Sequence, residues 1–240
     1  MDMTRDALQY VVGLKEAELL VVNGDTYTDK EIYRVDNNLR AAAIEMNTLT
    51  SLVDYAKSFT VEMSDQMLVQ VVSPTEVKLI SCLDSDRRRE CLVSVKAMIP
   101  EFGYGRYMDH ESFIIALQSK FIPNDHRADL LRFAGTVKDE SVAQYGDDGI
   151  TQKATVKRGI ASVEEAIVPN PVNLKPFRTF IEVDQPESAF IFRMKQSEGR
   201  GIECAIFEAD GGAWKNEAMR NIKKYLGFAL EELPQFTVIS

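Results

Sequence analysis

Apolar residues change spacing along this chain, and each change marks an element. Behind Thr4, a natural helix cap, Leu8, Val11, Val12, Leu14 and Leu19 supply the stripe of a short amphipathic helix. Asn23-Gly24-Asp25 reads as a turn, and residues 25–46 are polar, which suits either a mobile arm or a loop lying on a neighbour. Asn47-Thr48-Leu49-Thr50 opens a second helix that packs Leu52, Val53 and Ala56 and runs through Tyr55 to Phe59. The period then shortens. Residues 67–72 and 77–82 are β-rich runs flanking Ser73-Pro74-Thr75-Glu76, a hairpin signal, and 91–95 follows as a third strand.

Asp109 caps a third helix, with Phe113, Ile114, Leu117 and Phe121 on its stripe, and residues 125–133 continue helical after Pro123. Beyond it the chain predicts mostly sheet. Residues 136–143 and 150–157 flank a tight turn at Gly146-Asp147-Asp148-Gly149, and 177–183, 188–194 and 202–209 form three further strands. A closing helix from Gly212 carries Trp214, Ala218, Ile222, Tyr225, Leu226 and Ala229 on one face. Pro234 stops it before a last strand at 236–239. Strands that follow strands through short turns imply mainly antiparallel pairing, hence an α+β fold with packed helices. Residues 1–46 read as an N-terminal helix and arm, and 47–240 as a single α+β domain. The Pro-rich stretch 168–176 is the one candidate sub-boundary and reads as a rigid extended connector rather than a domain hinge.

The 240 residues can bury a sizeable core, and 45% hydrophobic with 27% charged composition excludes disorder and low-complexity repeats. A net charge of −9 argues against a duplex-binding module, which shows a basic footprint. Cys82, Cys91 and Cys204 are odd in number, without CxxC spacing, and read as free thiols of a reducing compartment. With only His110 and His126 beside them, no recognised metal cluster forms, and neither metal nor other cofactor is expected. The N-terminus lacks the basic start and unbroken apolar run of a signal peptide, and no window reaches membrane-spanning length, so the expectation is a soluble protein without a membrane partner.

Four segments invite chemistry. Asp65, Glu76 and Lys78 fit the spacing of a PD-(D/E)xK nuclease, in which two carboxylates hold Mg²⁺ and a lysine steadies the attacking water. Glu-x-Lys is equally the exposed alternation of any hairpin. Phe207-Glu208-Ala209-Asp210-Gly211-Gly212-Ala213-Trp214 could present backbone N–H groups to an anion. The simpler reading has Asp210 capping the last helix and Trp214 packed on the sheet, its indole N–H satisfied by an acceptor. Arg87-Arg88-Arg89 is a solvated turn unless a phosphate or partner meets it. Phe102, Tyr104 and Tyr107, interleaved with Gly103, Gly105 and Arg106, form either a stacking platform for single-stranded nucleic acid or ordinary core.

Tyr107-Met108-Asp109-His110-Glu111-Ser112-Phe113, Asp147-Asp148-Gly149-Ile150-Thr151-Gln152 and the stretch from Pro169 to Arg193 resemble a family of uncharacterised phage and prophage proteins, the YfdQ-like group. The most distinctive part is Arg178-Thr179-Phe180-Ile181-Glu182-Val183-Asp184-Gln185-Pro186-Glu187-Ser188, and Phe207 to Trp214 completes the set. That family carries no assigned activity and transfers no catalytic residues. The resemblance implies phage or prophage origin and expression in the bacterial host cytoplasm. With no nucleophile–base pair, phosphate loop or metal cluster, the leading expectation is a non-enzymatic phage protein whose partner is itself. The arm, the Pro-rich connector and the last strand would close it into a homo-oligomer such as a ring, cage or shell. The alternatives are a replication or recombination factor that binds or cleaves nucleic acid, and a nucleotide-binding anti-defence protein.

Overall fold

The computed structural model describes residues 4–14, 17–22, 24–31, 40–63, 66–84, 87–136, 153–158, 162–167, 170–197 and 201–240. The chain divides into two compact units, Met1–Ala41 and Ala42–Ser240.

In the first unit, Thr4 accepts from the Ala7 N–H and starts α1 (Arg5–Gly13), none of whose residues is buried. β1 (Leu19–Val22) pairs antiparallel with β2 (Asp25–Thr28), and Leu20 stands opposite Tyr27. The two-residue loop between them needs positive φ, which Gly24 adopts at +91°. The Asp29 carboxylate accepts from the Glu18 N–H at 2.8 Å and closes the base of this hairpin.

The second unit is α+β and holds two five-stranded sheets. β3 (Ile44–Met46) leads into α2 (Leu49–Ser58), which Thr48 caps through the Ser51 N–H. β4 (Met67–Ser73), β5 (Glu76–Ser81) and β6 (Cys91–Lys96) form the expected meander. β7 (Met108–Asp109), α3 (His110–Lys120), β8 (Phe121–Ile122) and α4 (Asp125–Thr136) follow. Asp109 caps α3 through the Ser112 N–H, as its position predicts. Then come β9 (Lys153–Arg158), β10 (Ser162–Ile167), β11 (Val172–Pro176), β12 (Ser188–Ser197), β13 (Gly201–Glu208), α5 (Ala213–Ala229) and β14 (Phe236–Ile239).

The first sheet has the order β14-β4-β5-β6-β3, the second β7-β13-β12-β11-β8. Pairing is mainly antiparallel, but both edges of the first sheet, β14 on β4 and β3 on β6, are parallel. Parallel neighbours need a crossover, and helices precede or follow these edge strands. Ile44–Met46 therefore belongs to this sheet, within a stretch that reads in sequence as an arm or a loop. Leu49, Leu52 and Ala56 of α2 and Ile222 and Leu226 of α5 bury the face carrying Met67, Val69, Val77, Leu79, Val93 and Val95. Phe113 and Leu117 of α3 and Leu130 of α4 cover the second sheet at Leu174, Phe190, Phe192, Cys204 and Ile206.

One strand expectation fails. Residues 177–183 are a loop, and the strand lies earlier, at Val172–Pro176, inside the stretch read as a connector. Proline lacks the N–H that a ladder needs, yet Pro171 stands just before β11 and Pro176 at its end, where the loss is tolerated. Asn170 extends the ladder instead. Its side chain accepts from the Phe192 N–H at 2.7 Å and donates to the Phe192 carbonyl at 3.0 Å. β9 pairs with β10 and Thr136 ends α4, and the rest of the strand expected at 136–143 lies outside the described residues. The Asp147-Asp148-Gly149 turn lies outside the described residues.

Candidate functional site

The loop from Phe177 to Glu187 leaves β11 in the second sheet and sends Phe180 and Val183 into the core of the first. Such a buried loop has no strand to satisfy its backbone, so a side chain must do so. Gln185, 2% exposed, takes that role. Its oxygen accepts from the N–H groups of Arg178 (3.0 Å) and Thr179 (3.2 Å), and its nitrogen donates to the carbonyls of Phe180 (2.9 Å) and Val183 (3.2 Å). The loop is also tied outward. Thr179 donates its hydroxyl to the Pro74 carbonyl in the β4–β5 turn. Glu182 accepts from the first N–H groups of α2, at Leu49 (2.8 Å) and Thr50. Asn221 of α5 donates to the Asp184 carbonyl.

Arg178 is 3% exposed, so its charge must be matched where it lies. Nη1 pairs with Glu208 at the end of β13 at 3.0 Å, and Nη2 donates to the Ser188 hydroxyl. Ser188 in turn donates to Asp210 at 2.6 Å, and Asp210 accepts from the N–H groups of Gly212 and Trp214 at the start of α5. Burial works against the Asp210 charge, but the hydrogen bonds from Ser188, Gly212 and Trp214, with Arg178 close by, hold its carboxyl below the usual value. Burial likewise lowers the Arg178 guanidinium, against the pull of Tyr104, Glu208 and Asp210.

The guanidinium carbon lies 4.0 Å from the centre of the Trp214 ring and 5.7 Å from that of Phe190. Trp214 is only partly buried and belongs to neither apolar cluster. It rests on a cation instead of on the sheet, and its indole N–H has no acceptor among the described residues. The expectation of a satisfied core tryptophan is therefore corrected: Arg178 takes the ring face, and no acceptor is supplied to the edge. Arg178 Nε is also buried without a partner. Two orphaned donors on one stacked pair are unusual, because most buried polar groups are satisfied.

A cleft of about 490 Å³ opens beside this stack, lined by the 99–106 loop and by Phe177 and Arg178. Phe102 meets Phe121 edge-on with ring centres 5.1 Å apart, and Tyr104 stacks on Phe190 at 5.7 Å. Tyr107 points elsewhere, against Phe207 and under the Lys195 ammonium. Phe102 and Tyr104 also meet each other, tilted, with ring centres 4.8 Å apart, whereas Tyr107 stands apart from them, so the three do not form one common stacking platform. Burial pushes the Tyr104 hydroxyl up to about 12, with Arg178 pulling the other way.

The nuclease triad is not assembled by the described residues. Asp65 lies outside them. Glu76 and Lys78 pair with each other at 3.1 Å on the face of β5 opposite Val77 and Leu79, where strand alternation puts them. Lys78 is raised above its ordinary value by its Glu76 hydrogen bond. In the Arg87-Arg88-Arg89 turn, the Arg88 N–H donates to Asp84 and the Arg89 guanidinium to the Ser81 carbonyl, which binds the turn to β5. The three cysteines are free, and burial pushes Cys204 up to about 12. Among the described residues, no group of three His, Cys, Asp or Glu side chains is placed to hold a metal ion, and no helix is long and apolar enough to cross a membrane.

Arg178 and Gln185 are the site residues that sequence reasoning missed. Both stand in the most distinctive segment, but the Arg178 partners Glu208 and Trp214 arrive from β13 and α5, while Gln185 bonds only backbone groups of its own loop. No family model matches the chain, and neither a curated protein nor a solved structure is found to be similar to it.

Proposed function

We propose that the chain is a non-enzymatic, self-associating phage or prophage protein of the host cytoplasm, closing into a homo-oligomer through its N-terminal unit. One observation carries this reading. Large apolar side chains of that unit stand in solvent, from Leu8, Tyr10, Val11, Val12 and Leu14 of the helical segment to Leu19, Leu20, Val21, Val22 and Tyr27 of the hairpin.

Four consecutive apolar residues in β1 are the pattern of a strand covered on both faces, whereas an isolated two-stranded hairpin is marginal in water. The ten side chains offer on the order of 1,000 Å² per copy, comparable to the ~800 Å² each partner gives to a standard stable interface. A second copy presents the same surface and satisfies it symmetrically. The phage origin and the compartment rest on the family resemblance and the free thiols.

Light scattering of the full chain at ~1–50 µM tests the proposal, a range in which interfaces of this size are occupied. The expected mass is a multiple of 27.0 kDa. Leu20→Glu with Val12→Glu, both at exposed positions, should return it to the single-chain value with unchanged circular dichroism. A single-chain mass throughout, or a doubly substituted variant that still assembles, overturns the proposal. So does a single-chain mass with cosedimentation on lipid vesicles.

A further inference from the structure

We infer that the cleft between the 99–106 loop and Arg178 is a binding site for one small planar anion, an aromatic ring bearing a phosphate or carboxylate. Its volume of about 490 Å³ falls in the ~300–1,000 Å³ range of small-molecule sites. Its walls have the mixed character such sites show, with Phe102, Tyr104 and Phe177 for a ring and the guanidinium groups of Arg106 and Arg178 for an anion.

Three features indicate that this polar set is incomplete without a ligand. Arg106 is exposed and has no ion-pair partner among the described residues, although the chain carries nine more acids than bases. Arg178 uses Nη1 and Nη2 on Glu208 and Ser188, but Nε is unpartnered and buried, leaving an anion-binding edge half used. The Trp214 indole N–H, on the ring stacked against that guanidinium, is unpartnered as well.

Both nitrogens are covered, so a ligand meets Arg106 and Tyr104 first and reaches Arg178 as the loop gives way. Gly105, at φ +73°, turns the loop in a conformation that glycine adopts readily, and Gly103 leaves its backbone free of a side chain beside Arg106. Glu101 at the rim and Glu208 beneath oppose a large negative charge, as does the net −9. A small anion therefore fits this cleft and a nucleic-acid strand does not.

Adenosine 5′-monophosphate is a suitable probe and inorganic phosphate its ringless control. The full chain is titrated with each by calorimetry and by the emission of Trp214, the only tryptophan. The expected result is saturable binding of the nucleotide below ~1 mM, with an emission change, and at least tenfold weaker binding of phosphate. Arg106→Ala, at an exposed position, should weaken nucleotide binding about tenfold while the melting temperature stays unchanged. Arg178→Met should abolish binding where it folds. Absence of nucleotide binding up to ~10 mM overturns the inference, as does equal binding of phosphate or an affinity indifferent to Arg106→Ala. None of these outcomes depends on whether the chain self-associates.

Discussion

Gln185 makes four hydrogen bonds from one buried amide, and replacing it tests whether the 177–187 loop is held by those bonds or by apolar packing. Gln185→Ala orphans two buried N–H groups and two carbonyls and leaves a void. An orphaned buried donor costs about 1–3 kcal/mol, and a carbonyl with a second lone pair costs less, so the loss should be about 3–6 kcal/mol. That is a large share of the ~5–15 kcal/mol by which domains are stable. Gln185→Met separates the two causes, because it restores the volume and none of the hydrogen bonds. Urea unfolding, followed by circular dichroism and by Trp214 emission, should show both variants shifted down by ~1–3 M for a slope of ~2–3 kcal/mol/M. If methionine recovers most of the stability, packing holds the loop and the hydrogen-bond argument fails. A loss under ~1 kcal/mol for alanine would refute it outright.

Trp214→Phe removes an indole N–H that has no acceptor while keeping a ring face for Arg178, so stability should change by less than ~1 kcal/mol. Trp214→Ala should cost ~1–3 kcal/mol in thermal unfolding, and a phenylalanine variant that loses more than ~3 would show that the N–H is satisfied after all. Glu182→Ala removes the carboxylate that accepts from Leu49 and Thr50. It should lower stability by ~1–2 kcal/mol, read from denaturant midpoints, and an unchanged midpoint refutes the role. Asp210 and Asp109 both have folded pKa values below the usual one. The folded state therefore binds fewer protons, and the stability attached to these groups is complete above about pH 3.9, the unfolded value. It is lost as pH falls through the folded values, so Asp210→Asn should flatten the melting temperature between pH ~5 and ~2, and an unaltered profile counts against the network.

Local signals in this sequence translate directly into structure. Thr4, Thr48 and Asp109 each cap the helix they precede, because a cap needs only an N–H three residues away. The hairpin of β4 and β5 is legible for the same reason, since alternation and turn lie within fifteen residues of each other. The 170–187 segment misleads because the signals of Pro171 and Pro176 and its alternation mean something else in three dimensions. Pro171 and Pro176 bracket a strand that a side chain of Asn170 completes. The alternation at 177–183 belongs to a loop that plugs Phe180 and Val183 into another sheet's core. The Arg178 stack escapes detection because Trp214 lies far along the chain and nothing local distinguishes a buried arginine from a solvated one. The aromatic character of Trp214 suggests a core anchor, whereas the ring serves instead to face the Arg178 cation.

The parallel seat of β14 on β4 also has a consequence in time. β4 emerges early in synthesis, just after α2, yet the strand that covers its edge and α5, which completes the cover of its face, are made last among the described elements. At ~5–20 residues per second, the apolar face of Met67 and Val69 waits roughly 10–30 s for Ile222, Leu226 and Phe236. The second sheet, built from residues 108–208 with its own helices, can close during that interval. The nascent chain thus carries one finished half and one half with a bare edge. On the ribosome, that waiting edge is where a chaperone or a neighbouring nascent copy has its opportunity.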